Sequence, residues 1–227
     1  MSLIIQKEIF ENFDKPIIGI IKVKGLNNHG ISNEINDLLR DIEIQTRENF
    51  SKFESCGQHS NILAWRQAYK KFGSDPHKYR CSIESLVRRI LKGDSIPNIN
   101  KLVDIYNYIS VKYVVPVGGE DSDLIIGELK LSIADGDEQF IRLNGTENDP
   151  PLSGEVIYKD EKGVICRRWN WSEADRTKLT EDTNNAIIVI EGLSPMDKTI
   201  IENATNELAD LIKRFCGGET ETEILVN

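Results

Sequence analysis

Apolar residues along the first half of the chain follow two spacings that predict different secondary structures. Residues 15–26, KPIIGIIKVKGL, form a β-branched run that ends at a glycine and predicts a β-strand. Beyond residue 30, apolar residues recur every three or four positions, as on one face of an α-helix. Four amphipathic helices are predicted: one from Ile31 through Ile42, one over 61–73, one over 81–93 with Ser82 as its cap, and one over 97–110.

The second half of the chain has shorter runs with the alternation that is typical of strands. Residues 123–143 hold two such runs joined by ADGD, and residues 154–169 hold two more around KDEKG, so both segments predict β-hairpins. Residues 185–193, NAIIVIEGL, predict a short apolar strand. A closing helix is expected to have Ser194 as its N-cap and Gly217 just beyond its end.

The order of these elements predicts the fold class. One strand, four helices, a block of strands and a final helix lack the regular alternation of a doubly wound sheet. We therefore expect an α+β fold with a mostly antiparallel sheet, an N-terminal helical group and a C-terminal helix. Residues 1–60 are expected to form a strand-and-helix subregion packed on a main domain over 61–217, and residues 218–227 a flexible acidic tail.

Charge is distributed unevenly along the chain. The net charge of −9 argues against broad, non-specific binding of nucleic acid. Eight basic residues nevertheless lie between Asn61 and Lys92, where only Asp75 and Glu84 oppose them. Two interpretations stay open for this segment: solvated helix faces, or a small patch that contacts phosphate at one end of an RNA.

Cysteine and histidine usage indicates a reducing compartment and no metal site. The four cysteines form no C-x-x-C pair, and the three histidines do not stand at zinc-ligand spacing from them. No run of about 18 apolar residues predicts a membrane span, and the N-terminus turns charged too early for a signal peptide. We expect a cytoplasmic protein without membrane contact, metal or cofactor.

A polar face interrupts the apolar pattern of the helix predicted over 97–110. Asn100, Asp104 and Asn107 fall within about 60° of one another at the helical angle of 100° per residue. Short amide and carboxylate side chains are weaker helix formers than the lysine and glutamate usual on solvated faces. Their clustering indicates fixed partners, either a structural bracket to a neighbouring loop or a contact with a ligand.

The same segment carries a family resemblance. IPNINKLVDIYNYIS (96–110) resembles the I-x-x-I-N-x-V-V-D-x-x-N-Y segment of the B3/B4 domain in the bacterial phenylalanyl-tRNA synthetase beta subunit. GELKLSIADGDEQFIRLNG (127–145), EVIYKDEKGVIC (155–166) and LTEDTNNAIIVIEG (179–192) resemble later segments of that domain in order. The resemblance spans about 80 to 192, and residues 65–93 look like free-standing B3/B4 proteins that lack the rest of the enzyme.

The resemblance implies a function. In the synthetase this domain is the editing site, which hydrolyses the ester between tRNA and a wrongly attached tyrosine. A free-standing protein of this type would be an aminoacyl-tRNA deacylase acting in trans, with the 3′ end of tRNA and its attached amino acid as partner and no DNA partner. Such a site needs a shaped pocket, an oriented water and donors for the oxyanion. A non-catalytic tRNA- or amino-acid-binding module and a hydrolase of small amino-acid derivatives remain alternatives.

One departure from the family pattern concerns the chemistry. The synthetase has a histidine in G-x-P-x-H-x-F-D, whereas the matching stretch VVPVGGEDSD (114–123) has Gly118 at that position. Candidate residues are assigned all the same, and they fall into three groups. The catalytic or water-orienting group is Asp121, Glu173 and Asp175; the RNA-binding group is Arg66, Lys70, Arg167, Arg168 and Trp169; and the pocket group is Asn100, Asp104, Asn107, Gly118 and Gly119.

The segment RRWNW (167–171) leaves two interpretations open. Two guanidiniums beside two indoles suit phosphate contact and base stacking. Strand alternation would instead place one tryptophan in the core and one arginine in solvent.

Overall fold

A computed structural model describes residues 2–226, which form six α-helices and nine β-strands. The helices are α1 (Lys7–Asn12), α2 (Asn33–Phe50), α3 (Ser60–Lys71), α4 (Ser82–Leu91), α5 (Lys101–Tyr113) and α6 (Lys198–Phe215). The strands are β1 (Leu3–Ile5), β2 (Ile17–Lys24), β3 (Val117–Asp121), β4 (Leu129–Ile133), β5 (Val156–Lys159), β6 (Val164–Arg167), β7 (Ser172–Glu173), β8 (Asn185–Gly192) and β9 (Glu219–Val226). None of the helices in this range is long and apolar enough to cross a membrane.

The strands form two sheets. The first sheet has the order β1-β4-β5-β6-β7, and the second sheet has the order β3-β8-β2-β9. β1 runs parallel to β4, whereas the other named pairs are antiparallel. The predicted α+β fold with mostly antiparallel pairing is confirmed. Residues from the N-terminal subregion of 1–60 take part in both sheets, since β1 joins the first and β2 lies inside the second.

β2 is buried on both faces, which explains its nearly continuous apolar sequence. Ile18 and Ile20 face the core that the first sheet shares with α1, α3 and α4. Ile21, on the opposite face, packs into a second core with residues of α5 and α6. Gly19 lies on that opposite face too, where a side chain would overlap Thr205 of α6. The second sheet therefore separates the two cores, and its face toward the first sheet is free to line a site.

The C-terminal residues are ordered rather than frayed, so the expected flexible tail is wrong for the described residues. Glu219–Val226 form β9, which pairs with β2 along its whole length, from Ile17↔Val226 to Lys24↔Glu219. Lys22 Nζ lies 3.7 Å from carboxylate oxygens of both Glu221 and Glu223. An acidic segment is stable here because β2 offers a free edge for its backbone and a lysine for its carboxylates. Asn227 lies outside the described residues.

Three local predictions also need correction. β4 pairs with β5 rather than with the run after ADGD, because Glu138 accepts the backbone N–H groups of Asp135 and Gly136 and turns the chain away into a loop. α6 begins three residues after Pro195, where the side chain of Asp197 accepts the N–H of Thr199. Ser82 is the first residue of α4, not its cap.

Candidate functional site

A cavity of about 390 Å³ lies between the two sheets. Strands of both sheets supply its walls, and residues from the start of α4 and from the loop at 142–144 contribute to its border. Its lining is Ser82, Val117, Gly118, Gly119, Glu120, Leu129, Arg142, Leu143, Asn144, Tyr158, Ile165, Cys166, Trp169, Asn170, Trp171, Ser172, Glu173, Ile187, Val189 and Glu191. The lining includes three glutamates, which make part of the cavity acidic. Most of the other lining residues are aliphatic or aromatic, so the rest of its surface is largely apolar.

The register of β3 on β8 builds the wall that the second sheet contributes. Gly118 pairs with Val189, and Glu120 pairs with Ile187. Residues directly opposite one another in an antiparallel pair point to the same face, as do residues two apart along one strand. These four residues and Glu191 therefore share one face, which lines the cavity. Two carboxylates are thus carried into the interior by strand alternation alone.

A row across the first sheet forms the facing wall. Tyr158 on β5 pairs with Cys166 on β6, and Cys166 pairs with Glu173 on β7. All three side chains line the cavity. Burial raises the pKa of the Cys166 thiol well above its ordinary value, so the thiol stays protonated at neutral pH. The cavity therefore contains a carboxylate, but not a reactive thiolate, on this side.

Glu191 is held by three donors. Tyr158 Oη and Trp169 Nε1 donate to its Oε1 at 2.5 Å and 2.7 Å, and Asn170 Nδ2 donates to its Oε2 at 2.8 Å. Arg168 and Trp169 have φ values of 47° and 67°, a left-handed turn that points the indole inward. Glu191 is thereby fixed as a rigid part of the cavity wall.

Burial perturbs all three carboxyl groups. It raises the pKa of Glu173 to about 7 and the pKa of Glu191 to about 7. Burial, and then the negative charge of Glu173, hold the pKa of Glu120 well above its ordinary value. At neutral pH the cavity is therefore poised between protonated and ionised states, which is a common property of functional sites.

A cation and an aromatic ring meet at the border of the cavity. The guanidinium of the exposed Arg142 lies 5.1 Å from the ring centre of Trp171, which in turn packs edge-on against Tyr79 at 4.9 Å. Ser82, the first residue of α4, also borders the cavity, and its Oγ is buried without a hydrogen-bond partner among the described residues. This border offers donors and a stacking surface to a ligand that enters.

Four of the residues predicted from the sequence line the cavity: Gly118, Gly119, Glu173 and Trp169. Trp169 is only 1% exposed, however, and its indole N–H is bound to Glu191, so the prediction that it stacks on RNA is corrected. Gly119 is packed closely, since a side chain there would lie 3.1 Å from Leu179. Gly118 is more open and faces Glu173.

The polar face around Asn100 does not line the cavity. Asn100 caps α5 by accepting the N–H of Val103, and it donates to the backbone oxygen of Leu179. Asp104 accepts the backbone N–H of Ile99. Asn107 likewise lies outside the lining. The assignment of these three residues to the pocket is therefore corrected, and for Asn100 and Asp104 the structural bracket is the interpretation that the contacts favour.

Two predicted catalytic carboxylates are used elsewhere. Asp121 accepts the hydroxyl of Thr183 at 2.7 Å and the backbone N–H of Asp123 at 3.1 Å. Asp175 accepts the ammonium of Lys178 at 2.8 Å and the N–H of Asn144 at 3.0 Å. Hydrogen bonds from Lys178 and Asn144 lower the pKa of Asp175. Neither carboxylate lines the cavity, so both assignments are corrected.

The arginines predicted to hold phosphate are occupied within the protein. Arg167 and Arg168 are 2% and 4% exposed, and both guanidiniums lie 2.8 Å from Glu155 Oε1. Arg66 forms a bidentate pair with the fully buried Glu84, at 2.9 and 2.6 Å. The assignments of Arg66 and Arg167 are corrected, because a guanidinium committed to a buried carboxylate is not free for phosphate. Arg168 keeps Nε and Nη1 without a hydrogen-bond partner among the described residues, and its assignment is corrected on burial alone.

Lys70 lies on the exposed face of α3, and its assignment as an RNA contact stays a prediction.

Glu120, Glu191 and Tyr158 are the cavity residues that sequence reasoning missed. A glutamate in a short strand normally indicates a solvent-facing position, and only the pairing of the strands turns these inward. Among residues 2–226, no group of three or more His, Cys, Asp and Glu side chains is arranged to hold a metal ion. The four cysteines are unpaired and buried.

Comparisons with known proteins identify relatives. The family model of the B3/4 domain matches residues 64–217 of this chain. The chain is 26% identical over 161 residues to the phenylalanine–tRNA ligase beta subunit of Geobacter metallireducens, covering 60% of this chain and 20% of that protein. It is 28% identical over 98 residues to the same subunit of Psychrobacter arcticus, covering 43% of this chain and 12% of that one. The chain thus spans at most about a fifth of the length of these curated relatives.

Among solved structures, an N-terminal fragment of the phenylalanyl-tRNA synthetase beta-subunit from Pyrococcus horikoshii matches with a TM-score of 0.49 and 14% identity. That match covers 96% of this chain and 50% of the other chain.

Proposed function

The chain belongs to the B3/4 domain family, and on that premise we propose that its cavity takes the aminoacyl end of a tRNA and hydrolyses a wrongly attached amino-acid ester. The relatives at 26% and 28% identity are subunits of a tRNA ligase, which supports a tRNA-linked substrate. The cavity has the size and the mixed acidic and apolar lining that suit an amino-acid group rather than an extended nucleic-acid surface.

One observation carries the proposal, namely that Glu173 lines the cavity with its pKa raised to about 7 by burial. A general base works best when its pKa lies near the working pH, because enough of it is ionised while it still holds a proton well. The ionised carboxylate takes a proton from a water molecule as the water oxygen attacks the ester carbonyl carbon. When the ester C–O bond breaks, the same proton passes to the ribose oxygen that leaves.

The border of the cavity suits the nucleotide end of the substrate. Arg142 is exposed and lies beside Trp171, so a guanidinium for phosphate and an indole for base stacking stand together where a strand would enter. This pair takes the place of the buried Arg167 and Arg168 in our proposal for tRNA contact. Such a small contact is compatible with a net charge of −9.

A panel of mischarged tRNAs tests the proposal. We expect the protein to release the amino acid from at least one member. Glu173→Gln is expected to slow that release by about 10²- to 10⁴-fold, the usual contribution of a general base. Glu202→Gln is the matched control, because Glu202 lies on α6 outside the cavity lining and pairs with Lys198, and it should keep the rate.

Two outcomes would contradict the proposal. Full activity in Glu173→Gln would remove the carboxylate from the mechanism. Release of no amino acid from any tRNA, while tRNA still binds, would leave a non-catalytic binding module.

A hydrolase of small amino-acid derivatives is the second candidate, favoured by the acidic net charge and by the ion pairs that engage Arg66, Arg167 and Arg168 within the protein. Hydrolysis of amino-acid methyl esters that excess uncharged tRNA does not inhibit would support it. Arg142→Ala would then leave the rate unchanged, whereas in the tRNA proposal it raises KM.

A further inference from the structure

Glu120 is a buried carboxyl group that lines the cavity without an ion-pair partner among the described residues. It is 8% exposed, its Oε2 is shielded from solvent, and the hydroxyl of the buried Thr177 lies close enough to lower its pKa. Buried carboxylates are otherwise hydrogen-bonded or paired, as Glu191 and Glu155 are in this protein. A cavity-lining carboxyl group that no described cation neutralises is therefore a place where a cationic donor on a ligand would bind.

A second carboxylate lies next to it. Glu173 Oε1 is 3.4 Å from the position that a Cβ would take on Gly118, and Gly118 and Glu120 share one face of β3. Glu120 is thus bordered by the negative charge of Glu173, and that charge adds to burial in raising its pKa. The hydroxyl of Thr177 and, more weakly, Arg176 act in the opposite direction, but Thr177 is uncharged and the guanidinium of Arg176 is bound to Asp160 at 2.6 Å. A cationic group on a ligand could supply the positive charge that these two carboxyl groups lack.

The sequence distinguishes this site from the pattern that the chain resembles. In G-x-P-x-H-x-F-D, a histidine ring stands at position 118 and a phenylalanine ring at position 120. Here Gly118 leaves an opening, and Glu120 supplies a carboxylate. Relative to that pattern, two rings are replaced by open space and a carboxyl group at this wall of the cavity.

We propose that Glu120 binds the α-ammonium group of the substrate, so that the cavity selects amino-acid derivatives whose primary amine is free. This inference rests on the proposed function in that Glu173, beside Glu120, remains the base that activates water. The ammonium group supplies the positive charge that the two neighbouring carboxyl groups lack, and it donates hydrogen bonds to the carboxylate of Glu120. The aliphatic residues on the same wall, Ile187 and Val189, then face the side chain of the amino acid.

Isothermal titration with two probes tests this site without any hydrolysis. L-phenylalaninamide carries the ammonium group, and 3-phenyllactamide has a neutral hydroxyl group at the same position and nearly the same size. We expect the amine to bind the wild-type protein at least about tenfold more tightly, as one charge-assisted hydrogen bond predicts. L-leucinamide and its hydroxy analogue extend the comparison to an aliphatic side chain.

Glu120→Gln is the decisive variant, and Glu202→Gln, on α6 and outside the cavity lining, is its matched control. The glutamine keeps the shape and removes a carboxyl group whose ionisation burial opposes, so the variant is expected to fold as stably as the wild type. It should weaken binding of the amine about tenfold and leave the hydroxy analogue within about twofold. Glu202→Gln should change neither affinity.

Each outcome has a distinct meaning. Equal binding of amine and hydroxy probes, a preference that survives in Glu120→Gln, or no binding of either amine overturns the inference. An amine preference that depends on Glu120 supports it, even if every mischarged tRNA stays intact. In that case the proposed deacylation fails while the ammonium site stands.

Discussion

Tyr158→Phe is a near-isosteric change that removes one donor from the carboxylate of Glu191. Tyr158 is 5% exposed, and its hydroxyl donates to Glu191 Oε1 at 2.5 Å. Burial raises the pKa of Glu191 to about 7, and the hydrogen bonds from Tyr158, Asn170 and Trp169 oppose that rise. The stability cost of the substitution should therefore depend on whether Glu191 is protonated.

The magnitude follows from the two protonation states. At about pH 5.5 the folded protein holds Glu191 protonated, so the lost bond is a neutral one that contributes about 1 kcal/mol. At about pH 8.5 Glu191 is ionised, and the lost bond to a charge contributes about 2 kcal/mol. A carboxyl whose folded pKa is raised contributes stability at low pH that is lost as pH rises through that pKa. Tyr158→Phe raises the folded pKa further and so enlarges this loss.

Urea denaturation at the two pH values measures the effect. The difference in unfolding free energy between wild type and Tyr158→Phe should be about 1 kcal/mol larger at the higher pH. Tyr113→Phe is the control, because its hydroxyl donates to the partly exposed Glu207 at 2.7 Å, where water replaces the donor. An equal cost of Tyr158→Phe at both pH values, or a larger cost at the lower one, would refute the assigned role of Glu191.

Three further changes test the packing. Gly19→Ala should lower the unfolding free energy by about 1–3 kcal/mol, because its Cβ would overlap Thr205 Oγ1; an unchanged urea midpoint would contradict this. Deletion of residues 219–226 should cause self-association visible by light scattering, since it exposes one edge of β2; a monodisperse product would show that the edge is protected otherwise. Glu84→Gln should lower the unfolding free energy by roughly 3–5 kcal/mol, because it leaves Arg66 without its charge partner. A melting temperature equal to that of the wild type would contradict this.

Local periodicity was sufficient to predict most of the regular elements. The helices α2, α3 and α5 and the strands β2 and β8 each carry their own repeating pattern, so no distant contact is needed to recognise them. The edge strand β9 lacks such a pattern, because its stability comes from β2 at the other end of the chain. The segment after ADGD forms a loop rather than the predicted second strand of a hairpin. The side chain of Glu138 accepts the backbone N–H groups of the turn, and this contact has no signal in the hydrophobic pattern.

The candidate site was predictable only where a motif carried it. Gly118 and Glu173 were found through resemblance to a family segment, and both line the cavity. Glu120 and Glu191 carry no local signal, since a carboxylate in a short strand is inward or outward according to its pairing register. Arg167 was misassigned because its partner, Glu155, is an acidic residue whose burial the sequence does not show.

The pairing of β2 has a consequence for protein synthesis. Both of its neighbours, β8 and β9, come from residues 185–226, so this isoleucine-rich strand leaves the ribosome long before either of them exists. At ordinary elongation rates the wait is on the order of ten seconds. During that interval the nascent chain exposes an apolar segment whose backbone groups lack sheet partners, which is the kind of segment that aggregates unless it is shielded. The second sheet is therefore completed only after residues 185–226 have been synthesised.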